Sequence, residues 1–392
     1  MKILRIVSAG YEQGGAENGI VQTNNLLRAN GHEIRTISSD NCPDLEHYSD
    51  YEFAGVPNKG IKKVIYAAFN YSAYRLVQQI LTEFKPDVVL LHTMSQPTAA
   101  VLFLLKQYPT ILFVHGPELY TRSLLPWYIS KQYYKRESYR LDDLTAVGWL
   151  HYLYFRYICG GLYKIALVNV DRVVALSSYT KSFLQVEGFT PTYIPNGVRM
   201  IGRKPIQAKP VLLYSGRLEK FKGVDDLLRA MPAIIEAVPA TTLNIAGDGS
   251  SREELRQLTK DLRIEKHVHF LGHLNQEQLT KNYHTCSLLV MPSTWPETFG
   301  KVGVEAMSVG RPVIATRVGG VSDWLADGKN GYLVDPYQPE QISEKAITLL
   351  SDTSLLKQMS GQAYESAQAF SMRSFANNIE AAINSTIARS DA

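Results

Sequence analysis

Short continuous apolar runs alternate with helical patterns along this chain, and the alternation pauses once, at residues 191–210. In the first half, Ile3–Ser8, Glu33–Ser38, Asp87–His92, Thr110–His115 and Arg172–Leu176 read as strands. Several are unbroken Val/Ile/Leu, as in strands covered on both faces. Helical patterns such as Glu17–Asn30 and Pro97–Gln107 lie between them, and Gly31 stops the first. Strand–helix–strand alternation predicts a parallel, doubly wound sheet. Residues 191–210 hold four prolines and two glycines and read as a connector. A second series follows: Val211–Ser215, Thr242–Ala246, His267–Leu271, Leu288–Met291, Pro312–Thr316 and Gly331–Val334, with helices such as Val224–Ala237 and Ser251–Leu262 between. The expectation is two α/β domains, 1–195 and 209–371, with a ligand cleft at facing strand ends and a helical tail at 372–392.

At 392 residues the chain is long enough for both. Its net charge of +4 is mild, and Lys and Arg outnumber Asp and Glu by 20 to 16 over residues 1–200. That is too sparse for a nucleic-acid partner, but suits an anionic membrane face or a phosphate-bearing ligand. Cys42, Cys159 and Cys286 are widely spaced and odd in number, so buried free thiols are expected. No run of 18 apolar residues is present, and Met1–Val7, broken by Arg5, reads as a strand rather than a signal peptide. A cytoplasmic protein is expected, with possible placement at the cytoplasmic membrane face.

The chemistry concentrates at Glu297 and Glu305. Glu297 falls in a loop after an apolar strand, and Glu305 on a helix read as starting near Phe299. Six helical residues span only ~9 Å, so the two carboxylates can face one ligand longer than a single sugar. Backbone N–H groups at Phe299 and Gly300 would point at an anion. Two carboxylates for hydroxyl pairs, with donors for phosphate between them, suit a nucleotide sugar.

Other groups sit at strand ends. Gly14 and Gly15 precede a helix, where they make either an ordinary turn or an anion cradle; they do not form the Gly-x-Gly-x-x-Gly dinucleotide fingerprint. His115 closes a buried strand and faces the crevice or satisfies a structural bond. Ser215-Gly216-Arg217 and Lys222-Gly223 follow the first strand of the second series: Arg217 offers a planar fork and Lys222 a point charge to phosphate, or both belong to a solvated loop. Gly247 and His273-Leu274 mark further strand-end turns, and Asp248 could cap the helix at Ser251. No Asp-x-Asp pair and no metal-ligand spacing occurs, so no metal is implied. Residues 120–165 interleave aromatics with Lys131, Lys135, Arg136, Arg140 and Arg156, which suits either a lipid-facing surface or a packed helical hairpin.

Taken together, these stretches resemble retaining glycosyltransferases of family 4, whose GT-B fold sets two doubly wound Rossmann-like domains across a cleft. The resemblance rests on Gly14-Gly15-Ala16-Glu17, Pro195-Asn196-Gly197-Val198, Gly216-Arg217 with Lys222-Gly223, the Glu297 to Glu305 spacing, and Gly310-Arg311-Pro312 with Gly319-Gly320. It implies that Arg217 and Lys222 hold a diphosphate. Glu297 and the Phe299 and Gly300 N–H groups would grip the donor sugar and its phosphate, and Glu305 the ribose. It also places Gly14, Gly15, Ser215, Gly216, Gly247, Lys301 and Val302 in the donor site, His273 and Leu274 near the base, and His115 at the sugar. The implied donor is UDP- or GDP-linked, with no cofactor and no metal; the implied acceptor is a glycan, glycolipid or lipid-linked molecule, joined in α linkage. The family often carries an acidic residue where this chain has Arg199. The alternatives on the same fold are a nucleotide-sugar epimerase and a non-catalytic nucleotide-sugar-binding protein.

Overall fold

A computed structural model describes residues 1–11, 15–41, 47–57, 60–92, 94–115, 149–150, 153–206 and 209–390. The chain divides into two units, Met1–Gly197 with Met372–Ala392, and Val198–Ser371.

The first unit is built on seven parallel strands in the order β3-β2-β1-β4-β5-β6-β7. They are β1 (Lys2–Ala9), β2 (Glu33–Ser39), β3 (Tyr51–Phe53), β4 (Val88–His92), β5 (Thr110–Val114), β6 (Arg172–Ala175) and β7 (Thr192–Tyr193). Every residue of β4 and β5 is buried, as their unbroken apolar runs require. The order reverses between β1 and β4, which pair from Ile3↔Val88 to Val7↔His92. Helices α1 (Gly15–Ala29), α2 (Ile61–Ala68), α3 (Tyr71–Phe84), α4 (Thr98–Leu102), α5 (Gly160–Ala166) and α6 (Ser178–Val186) accompany the sheet. β3 and β7 were not expected: each is a short edge strand, and β7 lies inside the stretch read as a connector.

The second unit has six parallel strands in the order β10-β9-β8-β11-β12-β13. These are β8 (Val211–Ser215), β9 (Thr242–Ala246), β10 (Val268–Gly272), β11 (Leu288–Met291), β12 (Val313–Thr316) and β13 (Gly331–Val334). Its helices are α7 (Val224–Ala237), α8 (Arg252–Asp261), α9 (Gln276–Thr285), α10 (Lys301–Ser308), α11 (Pro339–Ser351) and α12 (Thr353–Ala367). Two apolar cores form, one holding Leu212, Leu227 and Ile314, the other Leu289, Phe299 and Trp324. The last helix, α13 (Met372–Ser390), belongs to the first unit, where Phe375, Ile379 and Ile383 pack with Ile3, Ile34 and Val88. Cys159 and Cys286 are buried free thiols, and Cys42 lies outside the described residues. No helix among the described residues is long and apolar enough to cross a membrane.

Candidate functional site

In the second unit the strand order reverses between β8 and β11. In an open parallel sheet this is where the outgoing loops part and leave room for a ligand. The loop after β8 runs through a short 3-10 turn at Lys220–Lys222 to Gly223, whose φ is +63°. A Cβ on Gly223 would stand 2.0 Å from the Pro292 carbonyl oxygen, so only glycine lets this loop lie against the one after β11. Thr294 fastens the two loops by donating from its N–H (2.9 Å) and its hydroxyl (3.2 Å) to the Phe221 carbonyl.

This contact brings two of the expected site residues together. Lys222 Nζ stands 2.5 Å from Glu297 Oε1, which also accepts from Ser293 Oγ at 2.6 Å. The Lys222 and Glu297 side chains are 20% and 16% exposed, so the pair is partly desolvated yet reachable. Gly319-Gly320 supports Glu297 from behind. The Gly320 N–H donates to the Glu297 carbonyl at 2.8 Å, and a Cβ on Gly319 would lie 2.0 Å from that oxygen.

Arg217 is exposed on the β8 loop, its guanidinium 5.9 Å from the Phe221 ring centre. The Tyr214 hydroxyl fixes the loop by donating to the Arg217 carbonyl at 2.8 Å. The turns at Gly216, Gly247 and Gly272 lie side by side on adjacent strands. Gly216 N–H donates to Ala246 O at 3.0 Å, and Gly247 N–H to Gly272 O at 2.8 Å. A Cβ on Gly247 would meet the Gly216 oxygen at 1.8 Å. Asp248 does not cap the helix at Ser251; it accepts from the Gly249 N–H at 2.8 Å and from Arg252 at 2.7 Å.

Glu305 lies on α10, which starts at Lys301 rather than near Phe299. Gly300, at φ +81°, is the N-cap in a left-handed conformation that ends the preceding loop. The Phe299 side chain is 2% exposed in the core, its ring edge-on to Phe370, so only its backbone is left for a ligand. Its carbonyl accepts from Trp324 Nε1 at 2.6 Å. Lys301 and Val302, half-buried, form the first turn of α10. Glu305 Oε2 accepts from the buried Tyr283 hydroxyl at 2.9 Å, and Ser215 lies near that same hydroxyl. Burial pushes the Glu305 carboxyl above its usual range, against the pull of Tyr283, Lys301 and Arg199. Arg199 donates to Thr280 Oγ1 at 3.1 Å, so it brings a positive charge near Glu305 where the family pattern has an acid.

His273 is exposed and Leu274 half-buried, both just past the edge strand β10, two strands from β8. Leu274 packs against the core that holds Tyr283 and Phe299. In the first unit His115 follows β5, with Nε2 2.8 Å from His92 Nδ1. Gly15 opens α1, while Gly14 lies outside the described residues, as do 120–148, most of the aromatic and basic stretch. Among the described residues no group of three or more His, Cys, Asp or Glu is placed to hold a metal ion.

Ser293, Tyr283 and His92 were not anticipated. A lone serine after a strand or a tyrosine inside a helix carries no sequence signal, although His92, closing a buried apolar strand, shares the position that marked His115.

Two family models match end to end: Glycosyltransferase Family 4 over residues 13–200 and Glycosyl transferases group 1 over residues 201–366. A D-inositol 3-phosphate glycosyltransferase of Corynebacterium glutamicum is 32% identical over 190 residues, 47% of this chain and 45% of that protein. The chain spans less than half the length of the curated relatives it matches. Sucrose-phosphate synthase from Thermosynechococcus elongatus superposes with a TM-score of 0.74 at 20% identity, covering 99% of this chain and 100% of that one. HepE of Anabaena, solved in complex with UDP-glucose, superposes with a TM-score of 0.68 at 19% identity, covering 98% of this chain and 100% of that one. The structural likenesses establish the GT-B fold, and the two family models, meeting at residues 200 and 201, establish that the chain belongs to glycosyltransferase family 4, the group 1 glycosyl transferases.

Proposed function

We propose that this chain moves a hexosyl group from a UDP- or GDP-linked sugar to a hydroxyl of a glycan, glycolipid or lipid-linked acceptor, with an α linkage and retention at the anomeric carbon. The observation that carries the reading is the meeting of Lys222 and Glu297 where the strand order of the second sheet reverses, with exposed Arg217 on the same loop. Lys222 and Arg217 supply two cations for the diphosphate, one a point charge and one a planar fork. The first turn of α10 adds the positive end of a helix dipole. An entering diphosphate would replace Glu297 as the counter-ion of Lys222 and leave the carboxylate to accept from sugar hydroxyls. Glu305, oriented by Tyr283, would accept from the ribose.

In this reading the bond between the anomeric carbon and the diphosphate oxygen breaks with its electron pair going to oxygen. The acceptor hydroxyl attacks on the same face, and the departing phosphate takes its proton. The growing charge is the main barrier term, and one well-placed donor to it is worth about 2.7–4 kcal/mol. The sequence has no Asp-x-Asp pair, so we assign that task to Lys222, Arg217 and the α10 terminus rather than to a divalent metal. HepE binds UDP-glucose, which makes it the first donor to try.

A surface of the first unit supports a lipid-linked acceptor. On α2, Ile61 is 78% and Ile65 57% exposed beside exposed Lys62 and Lys63. The Tyr154 hydroxyl donates to the Val64 carbonyl and ties α2 to the stretch that exposes Tyr157, Ile158 and Ile165 next to Lys164. Apolar side chains interleaved with lysines suit an anionic bilayer. Co-sedimentation with phosphatidylglycerol vesicles and not with phosphatidylcholine vesicles is expected; indifference to lipid charge argues against it.

The deciding experiment is a thermal-shift panel of nucleotide sugars followed by product NMR. A donor at 100-fold over its Kd stabilises by about 2.7 kcal/mol. Lys222→Ala and Glu297→Ala should each lower transfer about 10²–10³-fold with the fold intact. Unchanged turnover in either variant removes the assignment. Conversion of donor alone to its epimer would favour an epimerase, and binding with neither transfer nor hydrolysis a non-catalytic protein.

A further inference from the structure

In the first unit, His92 ends β4 beside the point where that sheet's order reverses, and it is 3% exposed. Its ring stacks on Phe113 of β5, centroids 4.6 Å apart and planes within 3°. Its Nδ1 lies 2.8 Å from His115 Nε2. Its Nε2 is buried and has no hydrogen-bond partner among the described residues. Arg5 of the adjacent β1 projects to the same face, since Arg5 pairs with Leu90, two residues before His92. Arg5 is fully buried: Nη1 donates to the Ile20 carbonyl at 3.2 Å, while Nε and Nη2 are buried without acceptors.

Two ring nitrogens at 2.8 Å share one proton, and the surroundings decide which ring carries it. If His115 donated from Nε2, a neutral His92 would carry its own proton on Nε2. That would be a buried N–H with no acceptor, close to a guanidinium that already has unmet N–H groups. A buried orphan donor of this kind is rare and costs about 1–3 kcal/mol. If His92 donates from Nδ1, its Nε2 is instead a bare lone pair near a positive charge, which is the cheaper arrangement. A doubly protonated His92 is opposed by burial first, then by Arg5 and by His115, all of which depress its basicity.

We propose that His92 is a positioning residue that donates its Nδ1–H to His115 Nε2 and so holds His115 in the tautomer with its proton on Nδ1. In that state His115 Nε2 is occupied and cannot accept the proton of an attacking hydroxyl. His115 Nδ1 then acts as a donor to whatever acceptor it faces, a role that a sugar hydroxyl or carbonyl oxygen would suit. The tautomer assignment stands on the first unit alone; only its kinetic consequence rests on the glycosyl-transfer reading.

Long-range ¹H–¹⁵N NMR of the full chain with ¹⁵N-labelled histidine tests it directly. At pH 7.5 (about a unit above the ordinary histidine range) wild-type His115 is expected to show protonated Nδ1 and bare Nε2. His92→Phe keeps the stack on Phe113 and removes the donor, so the His115 signature should move toward protonated Nε2. His92→Asn returns an N–H donor near the position of Nδ1 and should restore it. Donor kcat/KM should fall about tenfold in His92→Phe and recover in His92→Asn. Wild-type His115 protonated on Nε2, or a signature unmoved by His92→Phe, overturns the proposal. Should His92→Phe fail to fold, the wild-type and His92→Asn spectra decide. Absent transfer with the expected spectra would refute the glycosyl-transfer reading and leave the tautomer assignment standing.

Discussion

Lys222 and Glu297 are 75 positions apart, yet their contact is among the shortest polar ones in the second unit. A partly exposed pair of this kind adds only about 0–1 kcal/mol to stability, because screening and lost side-chain freedom offset the Coulomb gain. Glu297→Gln should therefore shift the melting temperature little while lowering transfer by about two orders of magnitude, measured as initial rate at saturating donor. A melting shift large enough to explain the lost rate would show that the pair is structural. Gly223→Ala should act the other way. At φ +63° a side chain costs about 1–2 kcal/mol, and the added Cβ would meet the Pro292 oxygen at 2.0 Å. We expect a melting-temperature drop of several degrees, and weaker donor stabilisation in thermal shift because the loop carrying Lys222 is displaced. The chain disclosed which residues could act here, since loops after apolar runs with glycine, lysine and glutamate are readable. It did not disclose that Ser293 shares Glu297 with Lys222, or that Tyr283 orients Glu305. Those contacts depend on which strands become neighbours.

Helix α10 shows how an element is held in place for its termini to be usable. Gly303 lies inside it, and a Cβ there would stand 2.1 Å from the Trp324 ring. Trp324 in turn donates to the Phe299 carbonyl just before the helix. Glycine inside a helix costs about 1 kcal/mol against alanine, so propensity alone predicts that Gly303→Ala stabilises. The buried indole has no room to withdraw (Trp324 is 3% exposed), and overpacking costs about 1–3 kcal/mol. The second term wins, so we expect Gly303→Ala to lower the melting temperature, and Trp324→Phe to reverse part of that loss in the double variant. Stabilisation by Gly303→Ala would show that the helix shifts freely. At the other end, buried Arg311 donates to the Tyr283, His284, Lys204 and Pro205 carbonyls, meeting acceptors in the last turn of α9. This gives a structural account of Gly310-Arg311-Pro312 that its place in a motif did not. The start of α10 was misplaced by two residues because apolar spacing cannot show that Gly300 is left-handed.

For the two folded units, the doubly wound architecture was legible because buried parallel strands must be continuous apolar runs, and among the described residues eleven of the thirteen strands are long enough to show it. Tyr51–Phe53 and Thr192–Tyr193 were missed because two or three residues on a sheet edge carry no period. What no pattern could show is the buried charge in the second unit. Asp226, in the first turn of α7, is 8% exposed. Its carboxyl is pushed up to about 6, by burial first and then by Asp225 and Glu340, against the pull of Arg229 and the Tyr337 N–H. A carboxyl raised in the folded state favours folding where it is protonated and penalises it where it is ionised. Relative to the unfolded chain, its contribution is fully present below about pH 4 and is lost as pH rises through about 6. Asp226→Asn keeps an oxygen to accept from the Tyr337 N–H and removes the ionisation. The variant should be more stable than the wild type at pH 7.5, by on the order of 2 kcal/mol, or roughly 4–8 °C. That advantage should shrink through pH 6 and vanish near pH 4. Melting curves of both proteins from pH 4 to 8 test this: a difference that does not change with pH would mean that Asp226 stays ionised in the fold, and that Arg229 and the Tyr337 amide outweigh its burial.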